Sequence, residues 1–323
     1  MTKPDLTRRG AETTGPAAPA RPTELGGRGW LAAAKRTLRE YKKDALPDRA
    51  AALTYYGVLS IFPALLVLVS LLGLLSKSAT QTLMTNLAST LPHTVHGIIQ
   101  HAITHLQQGR GAAGALAAVG IVLGLWSASG YVAAFMRAAN GVYDVQEGRP
   151  VWKTIPTRLG VTLALLILLI ASTVIVVVTG GVARHVGQLL GLGPAAVTVW
   201  SIAKWPVLLL FVILMVAILY WGTPNARQRL RWVSPGAVVA VVGWLVASGL
   251  FAVYIANFSH YNKIYGSLAS VIIFLIWLWI TNLVILLGLE FNAELQRGRA
   301  IATGVPPGEE PYTELRDTRK VDR

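Results

Sequence analysis

The sequence predicts an all-α fold: a polytopic membrane helix bundle with six transmembrane helices plus amphipathic helices at the membrane interface. Three observations predict it. The 323-residue chain is 54% hydrophobic and only 14% charged, whereas a soluble domain averages about 25% charged residues. Two long blocks, 50–142 and 148–289, contain no Asp or Glu. These blocks hold six apolar runs of about 20 residues, the length that crosses a bilayer as a helix.

The six apolar runs are most simply helices, because an isolated strand would leave its backbone groups unpaired in lipid. Small residues at four-residue spacing, such as Gly236 and Ala240, indicate that these helices pack closely. The composition excludes an ordinary soluble enzyme and a disordered protein, and the absence of Cys excludes disulfides and thiolate sites. The runs are 53–75, 112–135, 159–182, 202–221, 235–257 and 266–289.

Composition also divides the chain into one membrane domain and two tails. We expect 1–29 and 301–323 to be disordered tails, because they combine Pro, Gly and scattered charges, and 30–300 to form the membrane domain. In 30–46 apolar residues recur at helical spacing among lysines and arginines. This pattern predicts an amphipathic helix that lies either on the membrane surface or against other protein. A second amphipathic helix is expected at 94–108.

The basic residues of the connecting segments predict the orientation. With a cytoplasmic N-terminus, fifteen lysines and arginines flank the spans on the inner side and five on the outer side. Basic segments are retained in the cytoplasm, so both termini are expected there. The net charge of +14 then reflects inner loops that meet anionic lipid headgroups. Membrane lipids are the expected partners, and nucleic acid is not.

The histidines raise the question of a metal site. All six lie in segments predicted to be outside, and His101 and His105 are four residues apart, so one helical face presents both. No Asp, Glu or Cys nearby completes a metal site. A pH-sensing role and a plain polar helix face both stay open. The chain also lacks a phosphate-binding loop. We therefore predict no metal, no cofactor and no catalytic residues.

Polar side chains in the apolar runs are informative because they are unfavourable in lipid. They either join helices through hydrogen bonds or line a polar pathway. As pathway residues, Tyr, Ser and Asn suit a lipid or sugar headgroup better than a bare ion. We also expect Glu290 to form an ion pair with Arg137 or Arg49 near the inner boundary. The substrate-pathway candidates are Tyr55, Tyr56, Ser60, Pro63, Arg137, Asn140, Tyr265, Asn282, Glu290 and Asn292.

Four stretches of sequence carry a resemblance to a known family. They read RAAALTYYGVLSIFP at 49–63, MRAANGVYD at 136–144, IYGSLAS at 264–270 and LGLEFNA at 287–293. Together, over about 30–300, they resemble the YihY/BrkB family of bacterial inner-membrane proteins. The resemblance implies six membrane helices, an inner-membrane location and a poorly defined activity. Relatives carry two labels, virulence factor and ribonuclease BN.

The ribonuclease label fits this sequence poorly. A nuclease needs a cluster of metal-binding side chains on the cytoplasmic side, and Asp144 with Glu147 does not make a two-metal site. The leading hypothesis is a transporter or flippase-like protein for an amphipathic, anionic envelope molecule, either a lipid or a lipid-linked sugar. The alternative is a non-transporting scaffold that recruits envelope-biogenesis proteins, and a membrane enzyme comes third. The sequence sets no oligomeric state.

Overall fold

The structure is a computed structural model that describes residues 19, 21–73, 112–178, 183, 184, 187, 191, 193–228, 230–257 and 268–321. In these ranges the chain forms seven α-helices after one short 3-10 helix, and β-pairing is limited to one bridge between Ala226 and Leu315. The all-α prediction is confirmed for these residues. The α-helices are α1 Gly26–Lys43, α2 Leu46–Gly73, α3 Ala112–Val142, α4 Val151–Val177, α5 Pro194–Gly222, α6 Leu230–Asn257 and α7 Leu268–Ala302.

Within the described residues, four helices are long and apolar enough to cross a bilayer. Their outward faces are apolar too, since Ile202 of α5 and Leu250 of α6 are each 68% exposed. A helix that is apolar on all sides requires apolar surroundings. The chain is therefore a multi-pass membrane protein. The four candidate spans are Val151–Val176, Ala195–Gly222, Pro235–Ala256 and Leu268–Ala302.

Six helices, α2 to α7, form a closed ring in the order of the chain. Each packs against the next, and α7 returns to pack against α2. α2 and α3 coincide with the first two predicted apolar runs. α7 has 35 residues, which is about 50 Å of helix, so it extends well beyond the roughly 30 Å of bilayer hydrocarbon.

The first and last described residues of the chain both lie at the same end of the ring. There the starts of α2, α4 and α6 lie beside the ends of α3, α5 and α7. Hydrogen bonds join these helix ends between Arg49 and Ala138, Arg149 and Thr223, and Gly236 and Asn292. We call this end, together with α1 and residues 303–321, the basal end.

α1 begins at Gly26, four residues before the predicted start of the amphipathic helix. Its apolar face packs on protein: Trp30 lies 5.6 Å from Phe291 between ring centroids, and Ala33 is fully buried beside Trp232. Leu38 on the other side is 73% exposed. The structure therefore shows the contact with protein, and contact of the other face with the membrane surface stays a prediction.

Residues 303–321 differ from the disordered tail that the composition predicts. The backbone N–H of Arg316 donates to the carbonyl of Asn225 at 2.7 Å, and that of Lys320 donates to the carbonyl of Gly148 at 3.0 Å. Backbone bonds to buried loops, together with the packing of Tyr312 and Leu315 on the core, order this mainly polar segment. The partners lie about 90 and 170 residues earlier in the chain, so no local pattern indicates them.

Glycine permits the closest helix crossing, between α6 and α7. A Cβ atom on Gly288 would lie 2.6 Å from the Cβ of Ala240 and 2.7 Å from the carbonyl oxygen of Gly236. Both distances are too short for a real side chain, so the two backbones pack directly on each other. The predicted close contact through Gly236 and Ala240 is confirmed.

Candidate functional site

Asn282 joins three helices. Its side-chain N–H donates to the hydroxyl oxygen of Thr54 on α2 at 3.1 Å, and its carbonyl oxygen accepts from the hydroxyl of Tyr131 on α3 at 2.9 Å. Asn282 itself is on α7 and is 1% exposed. Because the amide uses both a donor and an acceptor between helices, its present geometry is that of a structural link.

Asn292 performs a similar role at the crossing of α6 and α7. Its side-chain oxygen accepts from the backbone N–H of Gly236 at 2.8 Å. This N–H follows Pro235 in the first turns of α6, where a proline disturbs the helical hydrogen bonds. The amide of Asn292 therefore stabilises a weak point of the neighbouring helix.

Asn140 lies in a polar cluster between two loops at the basal end. It donates to Glu147 at 2.9 Å, and its side-chain oxygen accepts from the backbone N–H of Asn225 at 2.7 Å. Arg149 makes two 2.7 Å hydrogen bonds to Glu147. Burial by itself would raise the pKa of Glu147, but the hydrogen bonds and charge of Arg149, with the bond from Asn140, lower it below its ordinary value. The carboxylate therefore stays charged and holds the loops together.

Glu290 faces another carboxyl group. Its side chain lies beside that of Asp44, which follows α1, and the two carboxyl groups interact with each other. Burial raises the pKa of Asp44 above its ordinary value, while the bond to Glu290 and the charge of Arg49 act in the opposite direction. The predicted ion pair of Glu290 with Arg49 or Arg137 is not formed. Arg49 donates to the backbone carbonyl of Ala138 at 2.8 Å instead.

A neighbouring carboxylate carries the ion pairs of the basal end. Glu294 is 2% exposed and bonds to Arg36 of α1 and to Arg297, which lies one turn further along α7. Arg297 also bonds to Glu310 of the C-terminal segment. This chain of charges ties α1, α7 and residues 303–321 together. Over the described ranges, no group of three or more His, Cys, Asp or Glu side chains is arranged to hold a metal ion.

The remaining candidates are more scattered. Tyr55 is 61% exposed on the outside of α2, and the guanidinium of Arg137 lies 5.2 Å from the ring centre of Tyr56. Pro63 is inside α2, and its exposure is intermediate. Tyr265, the six histidines and the predicted helix at 94–108 lie outside the described residues.

A partly open cavity of about 530 Å³, which we call the central cavity, lies between the ring helices. All six ring helices contribute to its wall, and the lining is mainly Leu, Val, Ile, Ala, Met and Trp. A few hydroxyl groups interrupt it, namely those of Ser60, Tyr131, Thr162 and Thr281. Of the predicted pathway residues that the structure describes, Ser60 is the one that lines this cavity. The volume of the central cavity falls within the range of small-ligand pockets.

Sequence reasoning missed several residues of the basal end. Asn225 is fully buried and bonds to the carbonyl oxygens of Gln146 and Asp317 at 3.0 and 2.9 Å. Arg149, 4% exposed, bonds to Glu147 and to the carbonyl of Thr223. Both residues stand in short loops, where polar residues are expected. No local signal in the sequence separates them from solvated loop residues.

Comparison with known proteins identifies the family. The family described as Virulence factor BrkB matches residues 37–311. Putative ribonuclease-like protein YfkH of Bacillus subtilis (strain 168) is 31% identical over 265 residues, which cover 82% of this chain and 94% of that protein. A UPF0761 membrane protein of Alkalilimnicola ehrlichii is 31% identical over 283 residues, covering 82% and 59%. Another, from Alteromonas mediterranea, is 27% identical over 266 residues, covering 80% and 85%.

No solved structure matches this chain. The family match extends over most of the 323 residues and contains the ring helices, the basal links and part of the C-terminal segment. The sequence resemblance is confirmed. The chain is a member of the BrkB family of membrane proteins.

Proposed function

We propose that this chain is a bacterial inner-membrane protein that transports or flips an amphipathic, anionic envelope molecule, either a lipid or a lipid-linked sugar. The observation that carries the proposal is the central cavity of about 530 Å³ inside a closed ring of helices. Its wall is apolar with a few hydroxyl groups, which suits an acyl chain rather than an ion. The outside of the ring faces lipid, so acyl chains are available as ligands.

In this proposal all six ring helices span the membrane, and both termini are cytoplasmic. Support comes from the basal end, where α1 meets the C-terminal segment through a 3.0 Å bond from Lys43 to Glu310. Most basic residues of the connecting segments belong to this side, and basic segments are retained in the cytoplasm. A reporter enzyme that works only in the cytoplasm should be active when it is fused after Arg323. Activity of a periplasm-specific reporter there would contradict the orientation.

The proposal gives the candidate residues two separate tasks. Ser60 belongs to the pathway, because it lines the central cavity. Asn140 and Asn292 hold the basal end together through their hydrogen bonds, and Asn282 links α2, α3 and α7 beside the central cavity. Anionic headgroups are the partners expected at the basic surface of the basal end.

A non-transporting scaffold that recruits envelope-biogenesis proteins is the second candidate function. The observation that favours it is that several polar side chains of the spans are already engaged in bonds between helices. A side chain that links helices has little capacity left to bind a moving substrate. Under this alternative the ring is a rigid platform, and its basic surface binds other proteins.

We also propose that the chain is not an enzyme, although a relative's name contains the words ribonuclease-like. Asp144 and Glu147 are the acids of the connection after α3, and Glu147 is engaged by Arg149 and Asn140. A carboxylate held in this way is a poor metal ligand, because the arginine neutralises its charge. No hydrolysis of RNA by the purified protein is expected.

Reconstitution tests the transport proposal. Purified protein in liposomes that contain fluorescently labelled phosphatidylglycerol should increase the fraction of label that a membrane-impermeant quencher reaches. Met215 lines the central cavity, so Met215→Trp should fill it and slow the exchange at least about tenfold. Leu214→Trp is the matched control, because its neighbouring position on α5 is 43% exposed and faces away from the cavity. It should exchange lipid at the wild-type rate.

Two results would count against transport. Wild-type protein that moves no labelled phosphatidylglycerol, with or without an ion gradient, would favour the scaffold. Equal rates in the Met215→Trp and Leu214→Trp variants would show that lipid does not pass through the central cavity. Thermal melting of both variants in detergent checks that each is folded.

A further inference from the structure

A second cavity lies at the basal end, and we call it the basal pocket. It has a volume of about 670 Å³ and lies between the connection of α5 to α6, the start of α6, the end of α7 and the C-terminal segment. No residue lines both this pocket and the central cavity. Its lining includes Arg227, Gln228, Trp232, Arg299, Tyr312 and Glu314.

Several buried polar atoms in the wall of the basal pocket have no hydrogen-bond partner. The indole N–H of Trp232 has no acceptor, although the residue is 1% exposed. Both amide atoms of Gln228 and the hydroxyl of Tyr312 are likewise buried without a partner. Native proteins leave few such groups, since each is unfavourable. Four of them around one pocket indicate a ligand that supplies matching polar atoms.

The charges around the basal pocket favour an anion. The guanidinium of Arg299 lies 5.6 Å from the ring centre of Trp232, and the guanidinium of Arg297 lies 5.2 Å from that of Tyr312. Glu314 is the acid of the lining, and Arg227 compensates it through a 2.8 Å ion pair. Arg299 therefore places a positive charge in the lining beside the ring of Trp232, whereas the charge of Arg297 is compensated by Glu294 and Glu310.

The position of α6 also favours binding of an anion. Gln228 precedes this helix and Trp232 is in its first turn, since α6 begins at Leu230. The start of a helix carries a partial positive charge and unpaired backbone N–H groups, which favour anions. Burial also raises the pKa of Tyr312, so its hydroxyl remains a neutral donor over the physiological range.

We propose that the basal pocket binds the phosphate group of a polar phosphate ester. The indole N–H, the phenol and the amide donate to the phosphate oxygens or to neighbouring hydroxyls of the ligand, and Arg299 supplies the positive charge. The volume is within the range of small-ligand pockets and is larger than a bare phosphate needs. The ester is either a lipid headgroup or a soluble molecule, and both present the same chemistry. The pocket does not depend on the proposed transport.

Isothermal titration of the full-length protein in phosphatidylcholine nanodiscs tests the site. The probe is glycerol 3-phosphate, and saturable binding at one site is expected. Trp232→Phe removes the indole N–H but keeps an aromatic ring, and Tyr312→Phe removes one oxygen. Each change should weaken binding about tenfold, because a hydrogen bond to a charged group is lost. Trp152→Phe is the matched control, since Trp152 is 66% exposed and does not line the pocket. It should bind like the wild type.

A second titration, in nanodiscs that contain phosphatidylglycerol, distinguishes the two sources. Loss of apparent affinity for glycerol 3-phosphate there means that the lipid headgroup occupies the pocket. Unchanged affinity means that the ligand is a soluble ester. Either result supports the site when both pocket variants bind more weakly than Trp152→Phe.

Two results would overturn the proposal. One is the absence of saturable binding in phosphatidylcholine nanodiscs, together with a wild-type melting temperature that phosphatidylglycerol does not raise. The other is wild-type affinity in the Tyr312→Phe variant, which loses a single oxygen and serves as the test even if Trp232→Phe fails to fold. Neither result bears on flipping through the central cavity, so the two proposals fail separately.

Discussion

The basal end and the wall of the central cavity use the same helices in opposite ways. At the basal end, Asn292 and Glu294 are buried and bond to groups on other helices. In the cavity wall, Met215 and Val216 of α5 are apolar and border open space. A polar residue inside an apolar helix therefore does not by itself mark a pathway. Here such residues mainly hold the ring together, whereas the central cavity has a mainly apolar wall.

Physical chemistry explains this division. A buried hydrogen bond between helices is strengthened by the low dielectric constant around it, and an unpaired partner is correspondingly unfavourable. Removal of a basal partner should therefore reduce stability more than a change of volume in the cavity wall. Variants at buried links between helices should lose the most stability, and a variant at an exposed ion pair should lose the least.

Glu294→Ala should have the largest effect. It leaves Arg297, which is 5% exposed, without one of its carboxylates and detaches Arg36 of α1. Breaking a buried ion pair in this way reduces the free energy of unfolding by about 3–5 kcal/mol. Melting in detergent, followed by circular dichroism, measures the loss. Glu309→Ala, at an exposed position of the C-terminal segment, should melt like the wild type. Equal melting of the two variants would contradict the role of Glu294.

Gly288→Ala tests the crossing of α6 and α7. The added Cβ would lie 2.6 Å from the Cβ of Ala240 and 2.7 Å from the hydroxyl oxygen of Tyr220, so the helices must separate. Overpacking of this kind destabilises by about 1–3 kcal/mol. Gly160→Ala in α4 is the control, because no atom lies within 4 Å of its added Cβ. The prediction is wrong if both alanine variants unfold at the wild-type temperature.

Asn282→Ala removes the link between α2, α3 and α7. The hydroxyls of Thr54 and Tyr131 lose the partner that joins them to α7, at an expected loss of about 1–3 kcal/mol. Thr173→Ala is the comparison, since Thr173 is partly exposed and its hydroxyl bonds within α4, to the carbonyl of Leu169. If Thr173→Ala destabilises the protein as much as Asn282→Ala does, the interhelical link is not what stabilises the ring.

Asp44→Asn should change the dependence of stability on pH. Burial raises the pKa of Asp44, so the folded protein binds this proton more tightly than the unfolded chain does. The stability contributed by the group is therefore largest at low pH and falls as the pH rises above its ordinary pKa of 3.8. The amide cannot ionise and can still bond to Glu290.

We expect the Asp44→Asn protein to lose less stability than the wild type between acid and neutral pH, as measured by melting across that range. Asp48→Asn, at an exposed position two residues into α2, is the control and should reproduce the wild-type profile. A steeper profile in the Asp44→Asn protein would contradict the raised pKa of Asp44.

Arg227→Ala should have the smallest effect on stability. Its ion pair with Glu314 is exposed, at 75% and 77% for the two side chains. Solvent screens such pairs, so the change in unfolding free energy should be between 0 and about 1 kcal/mol and should shrink further at high salt. A loss as large as that of Glu294→Ala would remove the distinction between buried and exposed charges at the basal end.

Much of the fold was predictable from the sequence because hydropathy is a property of segments. The runs at 202–221 and 235–257 lie within α5 and α6, and the start of α1 is wrong by only four residues. The links between elements were not predictable. Glu290 was paired with an arginine in the prediction, since opposite charges attract, but in the structure it lies beside the carboxyl group of Asp44. Which charged groups meet depends on how α1 packs across α7, and no local pattern specifies that.

The C-terminal segment also shows that contacts between distant elements cannot be predicted from local sequence. Its Pro, Gly and charges predict disorder, yet Tyr312 packs against the core and Glu310 bonds to Lys43 and Arg297. Short-range composition measures how much apolar surface a segment can bury by itself. Composition gives no information about hydrogen-bond partners that a distant loop supplies.

The class of protein and the existence of apolar helices follow from the sequence alone, because the need to satisfy backbone hydrogen bonds in lipid leaves helices as the simplest solution for such runs. The family follows from it too, through motifs in α2, α3 and α7. It takes the packed structure to show that these helices close a ring, that Asn282 and Asn292 link helices, and that Trp232 and Tyr312 line one pocket. These features depend on contacts between residues far apart in the chain, and such contacts arise only when the helices pack together.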